Sequence, residues 1–235
     1  CDDEQRKPLH AELGERLAAL EDHAASLDHY AALLLLEPTS VATQRAMRRE
    51  AQLTDKFDRF ATALAAAADN CQEPARRVTL LSDAAHVRLD TLEDENGAID
   101  LLLAAIGTEG IKPSMVLNTG KRLSELLDRA DRAPERLTVL ERLADAESVE
   151  SSQRALIGDV ARLAESLGEV DRAIGAWRRR LQNNAADSIA LDALIELLDK
   201  EERWAELIDA LNARTEQDVA ANQKRSDLVK VATIH

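Results

Sequence analysis

The chain has 235 residues, 45% of them hydrophobic but only 2% aromatic, and its 44 acidic and 30 basic side chains leave a formal net charge of −14. That field repels a phosphate backbone and sets nucleic-acid binding aside. Abundant Ala, Leu, Glu and Arg with scarce aromatics favour helices over strands, so the expected class is all-α. No apolar run approaches the roughly 20 residues that span a bilayer.

At the start, Cys1 has two readings: an arbitrary boundary, or the acylated first residue of a bacterial lipoprotein followed by a polar tether, Asp2 to Lys7. Location is therefore open between cytoplasm and periplasm. The first helix pair is expected over 8–37, closed by Glu37-Pro38-Thr39-Ser40, and the second over 41–69, closed by Asp69-Asn70. Pro74 opens a third pair over 74–109, and Pro113 a fourth over 113–147 with Pro134 at its second helix. A fifth pair over 150–184 turns at Gly168-Glu169, Asp187 opens a sixth over 187–217, and a lone helix follows over 219–234. Pro and short acceptor side chains suit helix N-termini, where backbone N–H groups lack partners. About thirteen helices result, and their short connections make neighbours antiparallel.

The segments repeat. Leu194 to Asp199 reads like Leu123 to Asp128, and Asp159 and Ala161 fall on Asp83 and Ala85. Trp204 and Leu211 fall on Phe57 and Leu64, and Arg225 to Ala232 resembles Arg77 to Ala84. The unit is a double one of about 70–76 residues, half of which is near the 34-residue period of one helical-repeat class.

Val160 to Leu181 carries the specific signal: Ala161 in a first helix, Gly168 at the turn, and Ala173 four residues before Trp177 in a second helix. This resembles a tetratricopeptide repeat, with Ile157, Val160 and Ala164 at the core positions of helix A. Other copies are degenerate: Leu27, Tyr30 and Leu34 before Glu37-Pro38, then Ala98, Leu102 and Ile106, then Trp204 at the start of a helix B. The resemblance implies a right-handed α-α superhelix of about six antiparallel helix pairs plus one terminal helix, as a single array over 1–235. Leu228, Val229, Ala232 and Ile234 on the terminal helix lack a helix B, so a longer parent array is expected.

Catalytic and metal signatures are absent from the sequence. Two isolated thiols, Cys1 and Cys71, make neither a disulfide framework nor a zinc site. Asp94-Glu95-Asn96-Gly97 mimics part of a calcium loop, but Leu92 and Leu103 occupy the positions where oxygen ligands belong. Arg178-Arg179-Arg180 reads as a solvated outer face of a helix B. No enzyme activity and no cofactor are expected.

The resemblance also implies a groove lined by the A helices, which in that family usually binds proteins or peptides. Its positions here are Arg45, Arg49 and Gln52, then Ser82 and His86, then Lys121, Glu125 and Asp128, then Arg162 and Glu165, then Asp192, Glu196 and Asp199. Within each set the spacing of three or four puts the side chains on one helix face. Carboxylates dominate the later sets, so a partner with a basic or amphipathic segment is expected. The function expected is a binding scaffold in a bacterial multiprotein assembly. The alternatives are a self-associating spacer or an accessory part of a larger multidomain protein.

Overall fold

The computed structural model describes residues 3–217 and 220–234. The possible anchor at Cys1, the expected helix start at Val219 and His235 lie outside those residues. Among the described residues there are thirteen α-helices and no strand: α1 Asp3–Ala19, α2 His23–Leu36, α3 Val41–Thr54, α4 Phe57–Asp69, α5 Pro74–Asp90, α6 Glu95–Ile106, α7 Pro113–Arg129, α8 Ala133–Ala146, α9 Glu150–Ser166, α10 Val170–Asn183, α11 Ser188–Lys200, α12 Trp204–Glu216 and α13 Ala221–Ile234. The architecture of the described residues is all-α, in successive packed helix pairs.

Local chemistry sets the boundaries. Pro74 and Pro113 stand at the first helical position of α5 and α7, where a missing N–H costs nothing. Side chains of Asp22, Ser40, Asp94 and Asp187 cap α2, α3, α6 and α11 by accepting from backbone N–H groups. The Asp94 cap to Gly97 N, at 2.9 Å, is what the calcium-like stretch builds. One boundary differs from the sequence reading. The polar stretch read as a tether is helical from Asp3, with Pro8 inside α1. Pairs such as Lys7–Glu4 at 2.6 Å support that first turn.

The chain forms two compact units, 1–132 and 133–235. In the first, α1 packs on α2, α2 on α3, α4 on α5, α5 on α6 and α6 on α7, and α2 also touches α4. Leu27, Leu34, Met47, Leu64 and Leu80 are fully buried within one apolar cluster there. In the second, α8 packs on α9, α9 on α10, α10 on α11, α11 on α12 and α12 on α13. Its core holds the residues that carried the family resemblance: Ile157, Ala161, Ala164, Ala173 and Trp177 are all buried. The small side chains let α9 and α10 approach closely, and Trp177 fills the space beside them.

A conformational repeat runs through both units. Each turn from a first to a second helix contains one left-handed residue: Glu21, Asp55, Glu93, Asp131, Gly168 and Glu202. In five of the six, the N–H of the next residue closes a six-residue ring, as Glu169 N does to Ala164 O at 2.9 Å and Arg203 N to Leu198 O at 2.9 Å. Only Gly168 takes this backbone without Cβ strain. The other turns use acidic residues, so the glycine that helped mark the Val160–Leu181 repeat is missing from them.

Candidate functional site

The most sculpted surface of the first unit lies on its A helices. α3 is amphipathic: Thr43, Met47, Glu50 and Ala51 are buried, while Arg45, Arg48 and Arg49 point outward. Glu50 does not serve those arginines. It is buried against α2, where its carboxylate meets His23 Nδ1 at 2.7 Å. On α5, Leu81, Ala84 and Ala85 face the core, leaving His86 and Asp90 exposed and Asp83 on the same outer face with its carboxyl partly desolvated in the cleft wall. On α7, Leu123, Leu126 and Leu127 are buried and Lys121, Glu125 and Asp128 exposed.

Three adjoining cavities cover this face. The first, of about 320 Å³, lies between α3 and α5 with Phe60 and Leu64 of α4 in its lining, and Arg45, Arg48, Asp83, His86 and Asp90 supply its charge. The second, of about 200 Å³, shares His86 and runs to Asn118, Thr119 and Arg122 on α7. The third, of about 400 Å³, shares Arg122 and includes Glu125 and Asp128. Both signs occur at both ends: Arg45 and Arg48 of α3 face Asp83 and Asp90 of α5 in the first cavity, and Glu125 and Asp128 stand among Arg122 and Arg129 of α7 in the third.

His86 is the hinge of this arrangement. Its Nδ1 lies 3.2 Å from Asp90 Oδ2, and Arg122 Nη1 approaches the ring at 2.9 Å. Arg122 Nη2 also donates to Asp90 Oδ1 at 3.3 Å. Asp83 forms no ion pair among the described residues. Burial in the cleft pushes its carboxyl above the usual carboxylate range, against the opposing pull of Arg76, His86 and Arg48.

The sequence-derived positions divide into two groups. Arg45, Ser82, His86, Glu125 and Asp128 line this chain of cavities, while Arg49, Gln52 and Lys121 are exposed on the same helices outside the cavity walls. In the second unit most positions are already occupied. Arg162 pairs with Asp159 at 2.7 Å, Asp192 with Arg214 at 2.7 Å, and Asp199 with Lys230 at 2.7 Å. Glu165 accepts the indole N–H of Trp177 at 2.6 Å, and Glu196 is exposed. Sequence reasoning missed Arg48, Asp83, Asp90 and Arg122. The signal for Asp90 and Arg48 was present, four residues after His86 and three after Arg45, on the same helix faces.

The triple-arginine run is the solvated face expected from sequence at Arg178 and Arg179 but not at Arg180. Arg178 pairs with Glu206, Arg179 with Asp145 at 2.6 Å, and Arg180 is buried against Asp187 at 2.7 Å. Among the described residues no group of three or more His, Cys, Asp or Glu is placed to hold a metal ion, and no helix is long and apolar enough to cross a membrane.

No family model matches the chain, and no curated protein matches it. Among solved structures, the chain is similar to BtubC from P. vanneervenii, at 13% identity and TM-score 0.37, over 100% of this chain and 91% of that one. It is similar to the TPR2AB domain of yeast Sti1, solved as a pHSP90 complex, at 9% identity and TM-score 0.36, over 97% and 96%. It is also similar to YrrB, a TPR protein described as having an unusual peptide-binding site, at 12% identity and TM-score 0.34, over 78% and 89%.

Proposed function

We propose that the chain is a non-enzymatic protein-interaction scaffold, and that the α3–α5–α7 face of its first unit holds a segment of a partner protein. The carrying observation is the run of three adjoining cavities joined through His86 and Arg122. A pre-ordered face of this kind leaves most of the ordering cost to the partner. Its apolar floor, with Phe60, Leu64 and Val87, supplies burial, and its charged rim supplies register. At the α7 end Glu125 and Asp128 stand among Arg122 and Arg129, which suits an amphipathic segment of mixed charge. The whole chain is read as one array of repeats, with this face as its docking surface.

Photo-crosslinking tests the reading. A benzoylphenylalanine placed at His86 is expected to capture a discrete partner in cells of the source, and the same group at Arg225 on α13 is not. Equal capture from both positions, or none from either, sinks it.

A second reading, self-association, draws on exposed leucines: Leu9, Leu13 and Leu20 on one stripe of α1 or just past its end, and Leu228 with Val229 on α13. Light scattering over a concentration series decides it, since a mass constant at one chain excludes self-association.

A further inference from the structure

Carboxylates outnumber basic groups in this chain, so most arginines find one. Among the described residues at least sixteen arginines form ion pairs, spread over both units. Against that background α3 is anomalous. Arg45, Arg48 and Arg49 are all exposed and form no ion pair among the described residues. They sit three and four positions apart, so like charges share one stripe, an arrangement that destabilises a helix by a few tenths of a kcal/mol per pair. The carboxylate next in sequence, Glu50, is withdrawn to His23. Two carboxylates line the same cavity: Asp90, held by Arg122 and His86, and Asp83 beside Arg48, so three guanidiniums on α3 stand against one uncommitted carboxylate. Arg45 and Arg48 border the cavity floored by Phe60 and Leu64.

We infer that the α3 end of this face recognises an acidic segment bearing one large aliphatic side chain, whose side-chain carboxylates meet Arg45, Arg48 and Arg49 while the apolar group enters the α3–α5 cavity. This rests on the scaffold reading and adds a polarity to it. The bound segment places its acidic residues over α3. Charge complementarity selects this occupant, because the arginine stripe repels a basic segment at that end. Each exposed arginine–carboxylate contact contributes up to about fivefold in affinity, so two or three together reach about tenfold.

The test uses the full chain and four labelled nonapeptides built around a central Leu. One carries Glu at its other positions with both ends blocked. A second has Gln in place of Glu, a third has Lys, and a fourth is the Gln peptide with a free C-terminal carboxylate. Anisotropy at low salt reads affinity, and amide chemical shifts locate binding. The acidic peptide is expected to bind about tenfold tighter than its Gln counterpart, to shift amides of α3 and α5, and to lose about tenfold with R45E/R48E. It should change less than about twofold with the charge-matched control K224E/R225E on α13. Since all these side chains lie at the surface, circular dichroism should show unchanged helicity in both variants. Binding of the acidic peptide that ignores R45E/R48E overturns the inference. So does tighter binding of the Lys peptide at α3, and so does a free-terminus Gln peptide matching the acidic one, which would assign the arginines to a chain end. In each of those cases the scaffold reading stands. If none of the four shifts any amide of α3, α5 or α7, both fall.

Discussion

Arg180 Nε donates to Asp187 Oδ2 at 2.7 Å, with both residues buried and the guanidinium 5.8 Å from the centroid of the Trp177 ring. The pair ties the end of α10 to the start of α11, because Asp187 also caps α11 through Ala190 N at 3.1 Å. Removing one partner strands a buried charge. Asp187→Ala is therefore expected to cost about 3–5 kcal/mol, more than an exposed pair contributes. R180L/D187A should recover part of that loss. Denaturant unfolding checks both, and equal losses for the single and double variants would show the pair is not what holds this junction.

The same pair sets an acid response. Burial alone would raise the Asp187 carboxyl, but the Arg180 hydrogen bond and the Ala190 N–H outweigh it and hold the carboxyl below its usual range. Asp227 behaves alike, with burial opposed by Arg214, which donates to it at 2.6 and 2.9 Å. A depressed carboxylate stabilises the fold above its unfolded pKa, and the contribution is lost as pH falls through the folded pKa. Thermal stability should hold at neutral pH and drop below about pH 4. D187A should flatten the part due to Asp187, which melting curves across pH will show.

The left-handed turns offer a stability gain. Glu93 and Glu202 carry φ of 54° and 55°, where a Cβ costs roughly 1 kcal/mol relative to glycine. Glu93→Gly and Glu202→Gly are expected to raise stability by up to about 1 kcal/mol each, and Gly168→Ala, at φ 73°, to lower it by a similar amount. Melting temperatures moving the opposite way would refute the turn assignment.

At the start of the first unit, Gly14 lets α1 approach α2. A Cβ there would stand 2.8 Å from Tyr30 Cε1, and Ser26 Oγ donates to Gly14 O at 2.9 Å across the same contact. Gly14→Ala is expected to destabilise by about 1–3 kcal/mol through overpacking. The loss should shrink in a Tyr30→Leu background, which a double-mutant cycle measures.

Asp83 works in the other direction. Burial raises its carboxyl, so ionisation at neutral pH is a penalty that the fold carries; the stabilising contribution is full below the unfolded pKa and lost as pH rises through the folded one. Asp83→Asn should leave the melting temperature unchanged or higher at pH 7. It should also tighten binding of the acidic peptide by removing a negative charge beside Arg48. A lower melting temperature would mean that the carboxylate is structurally needed.

The sequence by itself determined what local physics controls. Pro74 and Pro113 start helices because proline lacks the N–H that a first turn leaves unpaired, and Asp187 caps because its side chain accepts. The spacing of Ala161, Ala173 and Trp177 marked a helix pair because those residues meet within one short segment. Tertiary structure alone decided which charges remain available. Asp192 and Asp199 look as open in the sequence as Arg45 and Arg48, yet Arg214 and Lys230 reach them from α12 and α13. Likewise Arg180 is indistinguishable from Arg178 until the fold brings Asp187 against it. Periodicity places a side chain on a helix face, but whether it meets an opposite charge, an indole or open water depends on elements tens of residues away.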